Sequence, residues 1–172
     1  MEAPLAERIR PKQLEDYISQ LHLVGPEGSL TQQIARGVLP SMIFWGSPGT
    51  GKTTLAQIIA RQSDRPFFEL SAINSGVKDI RDVIDKAKQS GGIFTSKNPI
   101  LFIDEIENGI HFTKHKLIWE KLFQIVKDDI QIFATSHSAE MIKAFNEASY
   151  NTEYESKAMY FEMKKMENSP QI

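Results

Sequence analysis

The sequence predicts an α/β domain of three layers, with helices on both faces of a five-stranded, mostly parallel sheet. Short apolar runs alternate along the chain with segments of helical periodicity, an alternation typical of right-handed βαβ crossovers. Several apolar runs are continuous, as expected for strands that are buried on both faces. The length of 172 residues suits one domain, spanning 1–172, with a single sizeable core.

The first half of the chain begins with turns and short helices over residues 1–40, because glycine and proline interrupt this segment repeatedly. Within it, residues 30–37 are predicted as a short helix that stops at Gly37. The elements predicted to follow are a strand at 41–46 ("SMIFWG"), a helix at 52–62, a strand at 66–70 and a helix at 77–89 with an apolar face.

The second half of the chain continues the same alternation. Its predicted elements are a buried strand at 99–104, a helix at 114–127, a strand at 130–135, a helix at 138–148 and an edge strand at 157–163. Ile118, Leu122, Ile125 and Val126 have helical spacing along the helix at 114–127. Ser138 is the expected N-cap of the helix after it. The polar tail, 164–172, is expected to fray.

Composition narrows the class of protein. Apolar residues make up 41% and charged residues 24% of the chain, and the formal net charge is −2, so the overall charge does not favour nucleic acid or anionic lipid. The lack of cysteine excludes disulfides and thiolate sites. No apolar run approaches the roughly 20 residues of a membrane span, and the start of the chain is unlike a secretory signal. We therefore expect a cytoplasmic protein with no membrane partner.

A phosphate-binding loop is predicted between the first strand and the helix after it. The pattern G-x-x-x-x-G-K-[ST], called Walker A, is matched at every fixed position by Gly46, Ser47, Pro48, Gly49, Thr50, Gly51, Lys52 and Thr53. Its glycines let backbone N–H groups point at phosphate oxygens, and the helix adds its positive N-terminal end. Lys52 is expected to reach the β- and γ-phosphates and Thr53 to ligate Mg²⁺, with Thr54 beside them. The alternative is a chance glycine-rich turn.

Two acidic residues, Asp104 and Glu105, follow the apolar strand "PILFID" and fit a Walker B segment. At the carboxyl end of a strand, Asp104 is expected to hold Mg²⁺ and Glu105 to polarise the attacking water. The alternative is an exposed acidic turn. The presence of a phosphate loop favours the catalytic interpretation, because ligands of such sheets sit at the carboxyl ends of the strands.

The segment Thr135 to Ser138, after the fourth strand, is a candidate sensor of the γ-phosphate. His137 has the reach to hydrogen-bond a phosphate oxygen or the attacking water, and its alternative role is that of a surface histidine at a helix start. The other three histidines lack a metal-ligand spacing and are expected to be ordinary turn and helix residues. Phe44 and Trp45 are expected to pack in the core instead of stacking on a base.

Residues 1 to about 105 resemble the AAA+ ATPases of the RarA/MgsA/WRNIP type, which are replication-associated recombination factors. The resemblance rests on "PLAERIRPKQLEDYISQLHLVGPEGSL", "GSPGTGKTTLAQIIA" and "LSAINSGVKDIRDVIDKAK". It implies ATP and Mg²⁺ as cofactors, an N-terminal segment at 1–40, and a nucleotide core from Walker A to Walker B at 41–105. It also implies that Tyr17, Ile18 and Val24 lie beside the adenine. Ser19 departs from the family's usual glycine.

Residues from about 99 to 163 resemble instead the C-terminal half of ABC-class ATPases of the OLD/RecF-like kind, with 106–163 as the second half of the domain. In that resemblance the stretch from Glu107 to Gly109 is similar to the D-loop and His137 to the switch histidine. The two resemblances together imply a chimera, recombinant or engineered, joined between residues 88 and 105. Both families imply the strand order 5-1-4-3-2.

The expected function is that of a P-loop NTPase core that binds Mg-ATP and hydrolyses it slowly. The sequence shows neither the AAA+ arginine finger nor the ABC signature loop, and a missing finger lowers the rate by about 10³–10⁵. No N-K-x-D motif for guanine is present, which favours ATP. One alternative is a DNA-associated module, although the basic residues are scattered. Another is a fold chimera with no significant catalytic activity. Without the AAA+ lid, a monomer is expected.

Overall fold

The computed structural model of the chain describes residues 9–36, 39–71, 82, 85–86, 98–126, 130–150 and 152–165. Five strands are found in these ranges: β1 Ser41–Gly46, β2 Phe67–Ser71, β3 Ile100–Asp104, β4 Gln131–Ser136 and β5 Ala158–Met163. The helices are α1 Leu21–Val24, α2 Ser29–Ala35, α3 Lys52–Gln62, α4 His115–Val126, α5 Ala139–Ser149 and α6 Tyr154–Lys157, with a 3-10 helix at Phe112–Lys114.

All five strands run parallel in one sheet with the order β2-β3-β4-β1-β5. Read from the other edge, this is the expected order 5-1-4-3-2, and β5 is the edge strand that the sequence predicts. In the register of the sheet Phe44 of β1 pairs with Thr135 of β4, and Ser71 pairs with Asp104. The carboxyl ends of β1, β4 and β3 therefore lie side by side along one rim of the sheet.

The core consists of two clusters of buried side chains, one on each face of the sheet. On one face, α4 and α5 bring aromatic residues against the strands, and Trp119, Phe123 and Phe145 pack together there. On the other face, α3 buries Leu55, Ile58 and Ile59 completely or nearly so. Burying an aliphatic side chain of this size contributes about 1.5–3 kcal/mol. The three layers that the sequence predicts are confirmed.

Most predicted elements are confirmed within two residues at each end. The helix at 114–127 begins one residue later, because a 3-10 turn at Phe112–Lys114 precedes it, as is common at helix starts. Trp119, Leu122 and Phe123 of this helix are buried, whereas Ile118 is only partly buried. Of the helix predicted at 77–89, only residues 82, 85 and 86 are among those described.

The core also settles the role of two aromatic residues of β1. Phe44 is fully buried, stacks on Phe161 at a centroid distance of 5.9 Å and meets Phe133 edge-on at 6.4 Å. Trp45 packs on the opposite cluster. Both therefore pack in the core, as predicted. Among the helices of the described residues, none has the length and apolarity needed to cross a bilayer.

Candidate functional site

The loop between β1 and α3 turns through two glycines that have left-handed backbone conformations. Gly49 has φ of 77° and Gly51 has φ of 87°, a region that residues with a Cβ seldom occupy. The Thr50 hydroxyl donates to the Ser47 carbonyl at 2.9 Å and closes the loop. Gly51 is the N-cap of α3 and offers no side-chain oxygen to the first amides of that helix. A helix start of this kind suits an anion.

Lys52 is buried at the base of the loop. Its Nζ donates to the carbonyl oxygens of Gly46 at 2.8 Å and Ser47 at 2.9 Å. Burial lowers the pKa of Lys52 from its ordinary value, while the carboxylates of Glu107, Glu105 and Asp104 act in the opposite direction. The ammonium is thus held by two backbone carbonyl oxygens of the loop.

The acidic strand end is in direct contact with the loop. The Thr53 hydroxyl, in the first turn of α3, donates to Asp104 Oδ1 at 2.9 Å. The Thr135 hydroxyl donates to the same oxygen at 2.5 Å and accepts from the Glu105 backbone N–H at 2.8 Å. Thr135 lies on β4, between β1 and β3, so it joins the two predicted motifs. Within the predicted sensor segment from Thr135 to Ser138, only His137 was given a contact in advance, whereas Thr135 is the residue that bridges the two motifs.

Glu105 has a left-handed backbone, with φ of 49°. Such strain in a residue with a side chain is uncommon and is concentrated at functional sites. Two hydrogen bonds hold the residue there: Thr135 accepts its N–H, and its Oε2 accepts from Asn108 Nδ2 at 2.8 Å. The carboxylate is half-buried beside Asp104 at the rim of the sheet.

His137 lies at the same rim and is paired with Glu107, for which the sequence predicts no catalytic role. Its Nδ1 lies 2.8 Å from Glu107 Oε1, and its backbone N–H donates to the same oxygen at 2.6 Å. The His137 side chain is 44% exposed, whereas that of Glu107 is 8% exposed. Ser138 caps α5 by accepting from the Met141 N–H at 3.2 Å, which confirms the predicted N-cap.

The N-terminal segment lies under the loop through Tyr17. Its hydroxyl donates to the carbonyl oxygens of Thr50 at 3.4 Å and Gly51 at 3.3 Å, and burial raises the pKa of the phenol. Ile18 is 82% exposed, and Val24 is half-buried at the end of α1. Of the three residues expected beside the adenine, Tyr17 is therefore the one that the structure places against the phosphate loop.

Gln20 ties this segment to the chain beyond β5. Its side-chain amide donates to the Lys164 carbonyl at 2.6 Å and accepts from the Lys164 N–H at 2.9 Å. Lys164 is the first residue of the tail that is predicted to fray, and the buried Gln20 amide is hydrogen-bonded to its backbone. Residues 166–172 lie outside the described part of the chain.

The remaining histidines have structural contacts, as predicted. His115 is buried and contacts the Ile110 carbonyl, His22 contacts the Glu162 carbonyl, and the His111 ring lies against Phe112. Among the described residues there is no group of three or more acidic or histidine side chains arranged to hold a metal. Thr53 and Asp104 offer the oxygen ligands that a magnesium ion prefers, so they fit an ion that takes its other ligands from phosphate and water.

Comparison with known proteins identifies relatives of this chain. Residues 42–144 match the family described as ATPase family associated with various cellular activities (AAA). Replication-associated recombination protein A of Haemophilus influenzae and that of Escherichia coli K12 are each 48% identical over 103 residues. ATPase WRNIP1 of Dictyostelium discoideum is 48% identical over 104 residues. These matches cover 60% of this chain but 23%, 23% and 12% of the relatives, so the chain matches less than a quarter of their length.

Solved structures of RuvB from Thermotoga maritima share the fold. A mutant of that protein superposes with a TM-score of 0.57 at 25% identity, over 90% of this chain and 49% of the other. The structure described as the RuvB Holliday junction branch migration motor gives a TM-score of 0.51 at 25% identity, over 80% of this chain and 46% of the other. The AAA match extends on both sides of the join predicted at 88–105. The comparisons support the first resemblance and give no support to the OLD/RecF-like one or to a chimeric origin.

Proposed function

The chain belongs to the AAA family of ATPases, and from that premise we propose that it is a core that binds Mg-ATP and hydrolyses it slowly. The observation that carries the proposal is the hydrogen bond between Thr53 and Asp104, 2.9 Å long. It brings the Walker A loop and the acidic strand end to one place at the rim of the sheet. Neither motif performs phosphoryl transfer without the other, because binding and charge stabilisation have to act on the same phosphate.

Each part of the rim has a role in this proposal. Backbone amides of residues 46–53 and the Lys52 ammonium bind the β- and γ-phosphates. Thr53 and Asp104 hold Mg²⁺, which when bound supplies positive charge against the transferring group. Glu105 polarises the attacking water. Tyr17, Ile18 and Val24 form the adenine side, and His137 reaches the terminal phosphate.

The proposed role in the cell follows from the relatives. Proteins named for replication-associated recombination are 48% identical to the matched part of this chain, and we extend that role, with association with DNA, to this chain. A cytoplasmic location is part of the same proposal. We propose slow hydrolysis because none of the described residues that form the site is an arginine, and a missing arginine finger lowers the rate by about 10³–10⁵.

The test is the thermal stability of the purified chain titrated with ATP and Mg²⁺. A ligand that binds only the folded state raises the free energy of unfolding by about 2.7 kcal/mol at one hundred times its dissociation constant. We expect this stabilisation in the native chain and in Glu105→Gln, but not in Lys52→Ala. Glu105→Gln should also lack turnover. If millimolar Mg-ATP does not raise the thermal stability of the native chain, the alternative of a fold with no significant activity is favoured.

DNA association is tested separately, by gel shifts with single-stranded and forked DNA at low and at moderate salt. Binding through phosphate contacts weakens steeply as salt rises. Retention of forked DNA by the native chain, with the expected loss at moderate salt, supports the recombination role. A chain that binds Mg-ATP but no DNA at low salt would leave the nucleotide-binding proposal standing and remove the DNA part.

A further inference from the structure

Glu107 is a buried acid beside the phosphate loop, and the proposed mechanism gives it no role. Only 8% of its side chain is exposed. One carboxylate oxygen, Oε1, accepts a hydrogen bond from the His137 backbone N–H at 2.6 Å and lies 2.8 Å from His137 Nδ1. The other oxygen, Oε2, is buried and has no hydrogen-bond partner among the described residues. A buried carboxylate is unfavourable unless it is paired, and the described partner of Glu107 is His137.

The pair fixes the orientation of the imidazole ring. Because Nδ1 of His137 lies against Glu107, Nε2 on the far side of the ring is turned away from that carboxylate. His137 lines a cavity of about 780 Å³ together with Gly46, Ser47 and Pro48 of the phosphate loop. A carboxylate on one ring nitrogen determines which tautomer the histidine adopts and which nitrogen is free to act.

We propose that Glu107 is a positioning residue that holds the His137 ring with Nε2 facing the terminal phosphate of a bound nucleoside triphosphate. This rests on the proposed function, because it presupposes that the loop binds the nucleotide. Glu107 and His137 then form a dyad, in which the glutamate orients the imidazole ring and the histidine contacts the terminal phosphate. The dyad distinguishes a triphosphate from a diphosphate, since only the triphosphate extends a γ-phosphate to the rim.

The test uses ¹⁵N-labelled protein and follows the histidine ring nitrogens by NMR. The chain has four histidines, and a His137→Gln variant assigns the signals of His137. We expect a protonated Nδ1 in the free protein and a shift of Nε2 on adding Mg²⁺ with a non-hydrolysable ATP analogue, but not with Mg-ADP. In Glu107→Ala and the isosteric Glu107→Gln, the response should be reduced or lost, while the thermal stabilisation by Mg-ADP persists. Glu140→Ala is the matched control, because Glu140 contacts the neighbouring Ser138 at 3.0 Å.

The outcomes separate this inference from the function on which it rests. If Mg-ATP fails to stabilise the native chain, the proposed function falls and the dyad with it. If Mg-ATP stabilises the chain but His137 responds equally to the diphosphate and the analogue, only the dyad is overturned. It is also overturned if both Glu107 variants keep the native histidine spectrum and response. Loss of the response in the Glu140 control would show that the helix start, and not Glu107, orients the ring.

Discussion

Thr135 holds the two acidic residues of the site in place through one hydroxyl. It is fully buried, donates to Asp104 and accepts from the Glu105 N–H. In Thr135→Val a methyl group replaces the hydroxyl, so that the Glu105 N–H and Asp104 Oδ1 each lose a hydrogen bond. An unsatisfied buried group costs about 1–3 kcal/mol, and we expect a loss of this size in urea unfolding. Thr135→Ser keeps the hydroxyl and should retain most of the stability, whereas equal losses in both variants would assign the effect to packing.

Burial of the Tyr17 phenol predicts a pH dependence. The pKa of Tyr17 is raised in the folded state above its ordinary 10.0, so the folded state favours the neutral phenol. Its contribution to stability is therefore present below the unfolded pKa and is lost as the pH rises beyond it. We expect Tyr17→Phe to be less stable than the native chain near neutral pH, and this difference to shrink above about pH 10. Unfolding by urea at several pH values measures it, and a difference that grows with pH would contradict the assignment.

Sequence patterns located some of these residues and not others. Lys52, Thr53 and Asp104 belong to local motifs, in which spacing along the chain alone defines the chemistry. Thr135 and Glu107 act through partners about 30 residues away. Their contacts depend on the register that places β4 between β1 and β3, which no local pattern specifies. The strain at Glu105 is likewise visible only in the folded chain.

At the scale of elements, the loop between β1 and α3 provides a matched pair of glycines. Both have positive φ, so alanine is strained at either position. A Cβ at Gly51 would also clash with the Tyr17 hydroxyl, whereas Gly49 has open space around it. We expect Gly51→Ala to destabilise the chain more than Gly49→Ala in thermal unfolding. Adding Tyr17→Phe should restore part of the stability that Gly51→Ala loses and none of the stability that Gly49→Ala loses. If the effects of Tyr17→Phe and of each glycine substitution simply add, the clash at Gly51 is relieved in another way.

Helix boundaries were predictable where the sequence marks them chemically. The start of α3 follows a glycine N-cap and that of α5 follows Ser138, and both were predicted within a residue. The buried face of α4 was less predictable. Periodicity predicted a face formed by Ile118, Leu122, Ile125 and Val126. Leu122 is buried and Ile118 packs against the same cluster, but Trp119 and Phe123, which the pattern left out, are buried there as well. An aliphatic pattern alone leaves out the large aromatic side chains that contribute much of a core.

At the scale of the whole molecule, one sheet joins the segments on either side of the predicted join. β1 and β2 come from the first resemblance, β4 and β5 follow the join, and they are interleaved in the order β2-β3-β4-β1-β5. The sequence predicted the three layers from the alternation of patterns, while the strand order came from the resemblance to known families. Because β1 lies between β4 and β5, neither part of the chain has a complete sheet alone, and we expect the two to unfold together.

A substitution at Phe133 tests whether the two parts of the chain unfold together. It lies on β4, is fully buried and meets Phe44 of β1 edge-on. Truncation of a buried phenylalanine to alanine costs about 3–5 kcal/mol, so Phe133→Ala should lose that much stability in urea. Tryptophan fluorescence and far-UV circular dichroism should still give coincident transitions. Phe112→Ala, at a site 62% exposed, is the control and should change stability by less than about 0.5 kcal/mol. Two separate transitions, one of them unaffected by Phe133→Ala, would mean that the parts of the chain fold independently despite their shared sheet.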